Sequence, residues 1–455
     1  MKLDLPKFFR ACNPSRTLNF GNDEERKYYI DFSSVRGSNI IREVERTITL
    51  LAGDAPSCQL FTGHIGCGKS TELLRLKAEL EVQGFHVVYF ESSQDLDMGD
   101  VDITDILLAI ARQVSESIEK LKIKLQPQGF KAILKGAAEL LQTELDVSAG
   151  FCVPGIAEIK GNNQGQISLS AGIGYITLKT KDSPKLRGKL RQYLEPRANS
   201  ILEAINDDLL VPATEQLKRF GKKGLVVIVD NLDRIDSSLK PSGQPQPEYL
   251  FVERGEQLNK LKCHVVYTIP LVLIFSNDLG RLTNRFGVNP KVLPMVPVKL
   301  RNGSPCAEGM ALLRQMVLAR AFPEIPEKQR LSLINELFDS PQTLDRLCCV
   351  SGGHMRNLLV LLYGCLQKQD PPISRECLET TIKQRCNELN LAITPDEWEV
   401  LLKVAKQKDV RSEIGYQTML RSLFVFEYRD RDGSWFDINP ILKEAKNFQK
   451  LLELN

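Results

Sequence analysis

An open parallel α/β sheet, followed by an all-helical region and a small helix–helix–hairpin module, is the architecture that this 455-residue sequence predicts. Three observations predict it. Short apolar runs alternate with helical periodicity up to about residue 300, and one of them, residues 225–229, is apolar throughout, as a parallel strand covered on both faces must be. A glycine-rich loop at residues 63–70 stands between a strand pattern and a helix pattern. From about Ser304 the periodicity is helical alone, and after about Asn387 it becomes mixed.

In chain order, residues 1–35 form a polar lead segment. Ile40, Ile41, Val44, Ile48 and Leu51 then mark a helix over 39–51. Residues 57–62 read as a buried strand, 71–82 as a helix, 85–90 as a strand closing at Glu91, and 103–120 as a helix. The stretch 126–183 reads as an insertion in a domain spanning 36–303. It opens as an amphipathic helix on Phe130, Ile133, Leu134, Ala137, Leu140 and Leu141, then alternates over 147–180, which predicts a β-hairpin turning at 161–165. Residues 186–220 read as one long helix, 264–268 as a strand, and 292–298, broken by prolines, as an edge strand. A helical region covers 304–386. In the module over 387–455, Thr394-Pro395-Asp396-Glu397 is a capped helix start and a second helix runs to about Leu423. Asp432-Gly433 then turns a hairpin.

Hydrophobic residues make up 42% and charged residues 26%, an ordinary globular balance. The formal net charge of +3 gives no argument for a nucleic-acid binder. No apolar run reaches the roughly 20 residues that span a bilayer, and the first ten residues lack a signal-peptide core, which points to the cytoplasm. The eleven cysteines are scattered, with no C-x₂-C pair, and read as reduced thiols rather than a disulfide framework or a zinc site.

Gly63-His64-Ile65-Gly66-Cys67-Gly68-Lys69-Ser70 fits G-x₄-G-K-[ST], the phosphate-binding P-loop. Glycines let successive N–H groups turn inward onto phosphate oxygens, and the following helix, starting near Lys69 and carrying Ser70 and Thr71, aims its positive end there. Lys69 would reach the β- and γ-phosphates and Ser70 would ligand Mg²⁺, so ATP with Mg²⁺ is the expected ligand. A glycine turn that binds nothing is the bland alternative. A preceding strand and a helix carrying Leu73, Leu74 and Leu76 oppose it.

The apolar run 225–229 ends in Asp230, the Walker B form, which would hold the same metal rather than merely cap a turn. Many ATPases follow this aspartate with a glutamate base; here Asn231 stands there, so hydrolysis is expected to be slow. Asp233 and Glu91 are the candidate replacements, each alternatively a solvated loop acid.

This ordered set resembles AAA+ ATPases, in particular the STAND branch (signal-transduction ATPases with numerous domains) and the origin-recognition ATPases, over about residues 35–455 outside the insertion. Val229-Asp230-Asn231-Leu232-Asp233 resembles the STAND form of Walker B. The resemblance implies a P-loop NTPase sheet, a helical lid and a C-terminal winged helix. It places Thr268 at sensor 1, although Ile269-Pro270 follow where STAND proteins often carry an arginine. It offers Arg285 or Arg281 as an arginine finger for a neighbouring subunit, with a solvated helix arginine as the alternative. Ser351-Gly352-Gly353-His354-Met355-Arg356 resembles sensor 2, with Arg356 reaching the γ-phosphate and His354 a turn residue.

From Cys386 onward there are ten basic and twelve acidic residues, and the candidate recognition helix carries only Arg421. That charge favours a protein-contacting winged helix over a DNA reader, with Trp435 and Phe424 as core residues. The insertion helix carries only Lys131 and Lys135 as basic residues, which favours packing on the ATPase or a neighbouring subunit over a membrane surface. The expected function is a nucleotide-dependent switch acting through protein contacts, with a nucleotide-dependent homo-oligomer. A DNA-associated ATPase and a scaffold that scarcely hydrolyses ATP are the alternatives.

Overall fold

The computed structural model describes residues 3–50, 55–125, 127–145, 169–181, 183–240, 242–410 and 414–454. Its centre is a five-stranded parallel sheet of order β2-β3-β4-β1-β5, with β1 Cys58–Thr62, β2 His86–Glu91, β3 Leu225–Asp230, β4 His264–Thr268 and β5 Lys291–Val292. The register pairs Glu91 with Asp230 and Phe61 with Thr268, so the candidate acids and the polar strand end converge on one edge with the loop after β1. Every residue of β3 and β4 is buried, as apolar runs covered on both faces require. This is the α/β architecture with a helical C-terminal region that the sequence predicts.

One face of the sheet packs on the helix Ile103–Lys120, which is held by a capping box at Asp102 and Asp105. The insertion helix Gln128–Leu145 joins that core through Phe130, Leu134, Ala137 and Leu141. The expected hairpin is corrected in part: Leu169–Lys181 is a helix, and the expected turn at 161–165 lies outside the described residues. Leu169, Ile173, Ile176 and Thr180 are its buried residues, at helical spacing, and the first three sit in the core against Ile103–Lys120. The expected single helix over 186–220 is interrupted at Glu195–Arg197, where Pro196 removes a donor, and by a wide turn at Asn206–Leu210.

The edge strand is shorter than expected. Pro294 ends the ladder after Leu293 donates to the Thr62 carbonyl at 2.8 Å, and Met295 turns to donate to the Glu427 carbonyl at 2.9 Å. The C-terminal module has the predicted helices Pro395–Gln407 and Ile414–Arg421, then the antiparallel hairpin β6 Val425–Asp430 and β7 Gly433–Ile438. Phe426, Tyr428 and Trp435 of that hairpin lie in the same apolar cluster as Phe61, Leu73 and Val266 of the sheet layer. The helix Ile414–Arg421 packs against the turn Leu271–Phe275. The helix Leu5–Ala11 packs on Ala307–Ala321 and buries Phe8 in the helical region. The described cysteines form no disulfide, and among the described residues no helix is long and apolar enough to cross a membrane.

Candidate functional site

The loop after β1 is shaped by three positive-φ glycines, Gly63, Gly66 and Gly68, of which the last two face the following helix and the 354–356 turn. Gly66 has φ +87°, and a Cβ there would lie 2.8 Å from Cβ of Arg356 and 2.9 Å from Nε2 of His354. Gly68, at φ +105°, starts the helix Lys69–Val82. Only glycine takes both positions without strain, and the backbone is left bare where a phosphate would approach. Lys69 is buried; its Nζ donates to the carbonyls of Gly63 at 2.7 Å and His64 at 2.8 Å and lies 3.0 Å from Asp233 Oδ2. Burial opposes the charge, but Asp233 and Cys67 outweigh it, so the lysine pKa is raised. Arg36 braces the loop by donating to the Cys67 carbonyl at 2.8 Å.

Asp230 is fully buried at the end of β3. It accepts from the Asn231 N–H at 2.7 Å and the Tyr89 hydroxyl at 2.8 Å, and the Ser70 hydroxyl helps to lower its pKa. Burial first, then the Asp233 charge, push its carboxyl above the usual range. A divalent cation there would supply the missing counter-charge, and Ser70 and Asp230 are the residues that would hold it. Asn231 sits at φ +67°, a conformation that asparagine tolerates better than glutamate, which accounts for the residue found after the Walker B aspartate. The Thr268 hydroxyl accepts from Leu232 N–H at 3.0 Å and faces the Val229 carbonyl at 3.3 Å, so it holds the acidic turn in place and does not line the cleft.

A cleft with a volume of about 210 Å³ opens over this loop. Ile65, Gly66, Cys67, Gly68, Lys69, Ser70 and Thr71 line it, with Glu91, Asp233, Arg234 and Arg356. Of the two candidate bases, Glu91 faces the cleft on β2, while Asp233 is engaged with Lys69. Arg356 is tied to the loop through its N–H, which donates to the Gly66 carbonyl at 3.2 Å. Burial and then the charge of Arg234 lower the Arg356 pKa, so two guanidiniums converge where an anion would relieve them. Arg285 and Arg281 lie elsewhere: Arg285 donates to the Val252 carbonyl at 2.9 Å, and Arg281 pairs with Asp278 at 2.8 Å.

Gly63 and His64 lie behind the loop, away from this cleft. His64 Nε2 accepts from the Glu427 N–H of β6 at 2.9 Å. His354 Nδ1 accepts from Asn357 N–H at 3.1 Å, so its Nε2 carries the proton and donates to the Ile65 carbonyl at 2.8 Å. Phe426 stacks on His354 and meets His64 edge-on. Burial takes His354 down to about 4 and His64 well below its usual value, so both stay neutral. The turn before the helix Met355–Leu366 and the C-terminal hairpin therefore both bond to the glycine loop.

Glu427 is also buried there, pushed up to about 7 by burial against the opposing Ser434 hydroxyl and Arg429 charge. Its folded pKa lies above its unfolded value, so the folded state loses stability as pH rises from about 4.5 to 7 and carries a constant cost above that window. Glu427→Gln is expected to remove about 2 kcal/mol of the difference in unfolding free energy between pH 5 and pH 8, measured by urea denaturation at both values. An unchanged pH dependence would mean that the folded-state pKa of Glu427 is not raised.

Several residues in and around the cleft carry no signal in the sequence. Tyr89 becomes visible only through the β2–β3 register, and Arg234 only through its approach to Arg356. Arg16, Tyr28 and Tyr29 of the lead segment, and Arg320 of the helix Ala307–Ala321, form a wall that no local pattern announces.

No protein-family model and no curated protein matches the chain. Among solved structures it is similar to the Aeropyrum pernix ORC2 protein in ADPNP–ADP complexes, at 11% identity over 98% of this chain and 97% of that one, with a TM-score of 0.41. It is similar to the ORC1 protein of the same organism in complex with DNA, at 12% identity over 97% and 98% of the two chains, TM-score 0.38. A Walker-type ATPase of Pyrococcus abyssi is similar at 12% identity over 95% and 98%, TM-score 0.41.

Proposed function

We propose that the chain is an ATP-binding, Mg²⁺-dependent switch of AAA+ type that hydrolyses slowly and acts through protein contacts. The observation that carries the reading is the buried Lys69 inside the glycine loop, ion-paired to Asp233 at 3.0 Å, beside Ser70 and Asp230. A triphosphate would displace Asp233 from the lysine and draw in Arg356 and Arg234. The same loop bonds to the lid through His354 and to the C-terminal hairpin through His64, so a change at the phosphates is felt by both. On this reading Glu91 positions the attacking water, while Asp233 holds Lys69 between turnovers. Arg285 or Arg281 would act on a neighbour's nucleotide in a cytoplasmic, nucleotide-dependent assembly.

Steady-state phosphate release and calorimetry on the wild type, Glu91→Gln and Asp233→Asn test this. Glu91→Gln is expected to lower turnover at least about tenfold with little change in ATP affinity. Asp233→Asn is expected to bind ATP more tightly, by about threefold to tenfold, because no ion pair must open first. Turnover unchanged in both variants would remove both bases, and binding without turnover in the wild type would leave a nucleotide-binding scaffold. Light scattering of the same samples with and without a non-hydrolysable ATP analogue reads the assembly; one unchanged mass would remove that part.

A further inference from the structure

We propose that Arg320, in the lid helix Ala307–Ala321, reads the base of the bound nucleotide by donating to a hydrogen-bond acceptor on its edge. The inference rests on the nucleotide reading above and names a contact which that reading does not contain. Arg320 is buried, 6% exposed, yet lines the cleft. Its Nη1 donates at 2.9 Å to the carbonyl of Met316, one turn back on its own helix, and its Nε has no partner. Among the described residues no carboxylate pairs with it. A guanidinium held this way has given up water without gaining a counter-ion, which is costly unless a ligand completes the site.

Its position says which part of a nucleotide completes it. The helix that carries Arg320 packs on the lead helix Leu5–Ala11, and Arg320 lines the cleft together with Arg16 and Tyr28 of the lead segment. Lys69 is held within the glycine loop by the Gly63 and His64 carbonyls and Asp233. Arg320 therefore stands on the lead-segment wall of the cleft, and the loop holds the phosphates. Arg16 is already neutralised by Glu25 at 2.8 Å. Tyr28, Met316 and Leu359 also line the cleft and supply the flat apolar surface against which a base lies. Guanidinium has five donors and no acceptor, so the group it meets must be an acceptor: a ring nitrogen or a ring carbonyl. The phosphates are taken up by the loop, which leaves the base as that group.

The test compares ATP with inorganic tripolyphosphate, which has the phosphates and no base. Affinities are read by competition with a fluorescent ATP analogue on the full chain, for the wild type, Arg320→Met and Arg320→Lys. Arg320→Met is expected to weaken ATP at least about tenfold and to leave tripolyphosphate unchanged, with Arg320→Lys between. Equal weakening of both ligands would mean that the arginine only supports the lid, and would overturn the proposal, as would unchanged ATP affinity. Failure of wild type to bind ATP at all would instead overturn the nucleotide reading itself.

Discussion

Lys69→Ala is expected to lower ATP affinity at least about a hundredfold, measured by calorimetry on protein shown to be folded. The ammonium has three donors, and the structure uses all of them: two loop carbonyls and Asp233. Phosphate oxygens replace weaker or equal partners there, so the lysine contributes a charge-assisted bond that no neighbour supplies. Removing it has a second effect. Asp233, whose side chain is 4% exposed and whose Oδ1 already lacks a partner, becomes an unpaired buried acid. Breaking such a pair from one side costs about 3–5 kcal/mol of stability. The double variant Lys69→Ala/Asp233→Asn separates the two effects: folding stability should return, and ATP binding should not. An ATP affinity unchanged in folded Lys69→Ala would end the nucleotide reading.

The loop containing Lys69 was legible because its information is contiguous: eight residues carry the glycines, the lysine and the hydroxyl, with a strand before and a helix after. Asp230 was legible because a strand buried on both faces leaves an unbroken apolar run. Residues 169–181 were not, because Leu169, Ala171, Ile173 and Tyr175 alternate while Leu169, Ile173, Ile176 and Thr180 fit a helix, and only packing against Ile103–Lys120 decides between them. Arg320 was hidden for a related reason. Its helix is buried on most sides, from Leu313 to Ala321, so no polar face marks which residues look outward. The lead segment offers no periodicity at all, and its place in the cleft is a long-range fact: Tyr29 donates to Glu72, forty-three residues away in the chain. Asn231 could be seen as a departure from the Walker B pattern, but its left-handed backbone, the physical reason for it, could not.

Gly353→Ala is expected to destabilise the chain by about 3 kcal/mol or more, and to weaken ATP binding in whatever fraction stays folded. The position is left-handed, φ +71°, and a Cβ there would lie 1.7 Å from the Val296 carbonyl oxygen and 2.7 Å from its carbon. These are backbone atoms, so no side chain can swing aside; either the segment that follows the edge strand or the turn at Gly352–Gly353 must move. Gly352 beside it meets Pro440 and Phe426 at 2.7–2.9 Å, contacts that side-chain and ring adjustments relieve in part. The glycine pair is thus pinched between the sheet edge and the C-terminal hairpin, immediately before the helix that delivers His354 and Arg356 to the phosphate loop. Gly221→Ala is the control, because it is also left-handed, φ +79°, with nothing within 4 Å. It should cost only the backbone strain, about 1 kcal/mol. The excess in Gly353→Ala, read from urea midpoints at constant slope, measures the closeness of the lid to the sheet. Equal losses in the two variants would mean that the lid turn does not rest on Val296, and the route from phosphate loop to lid would have to be sought elsewhere.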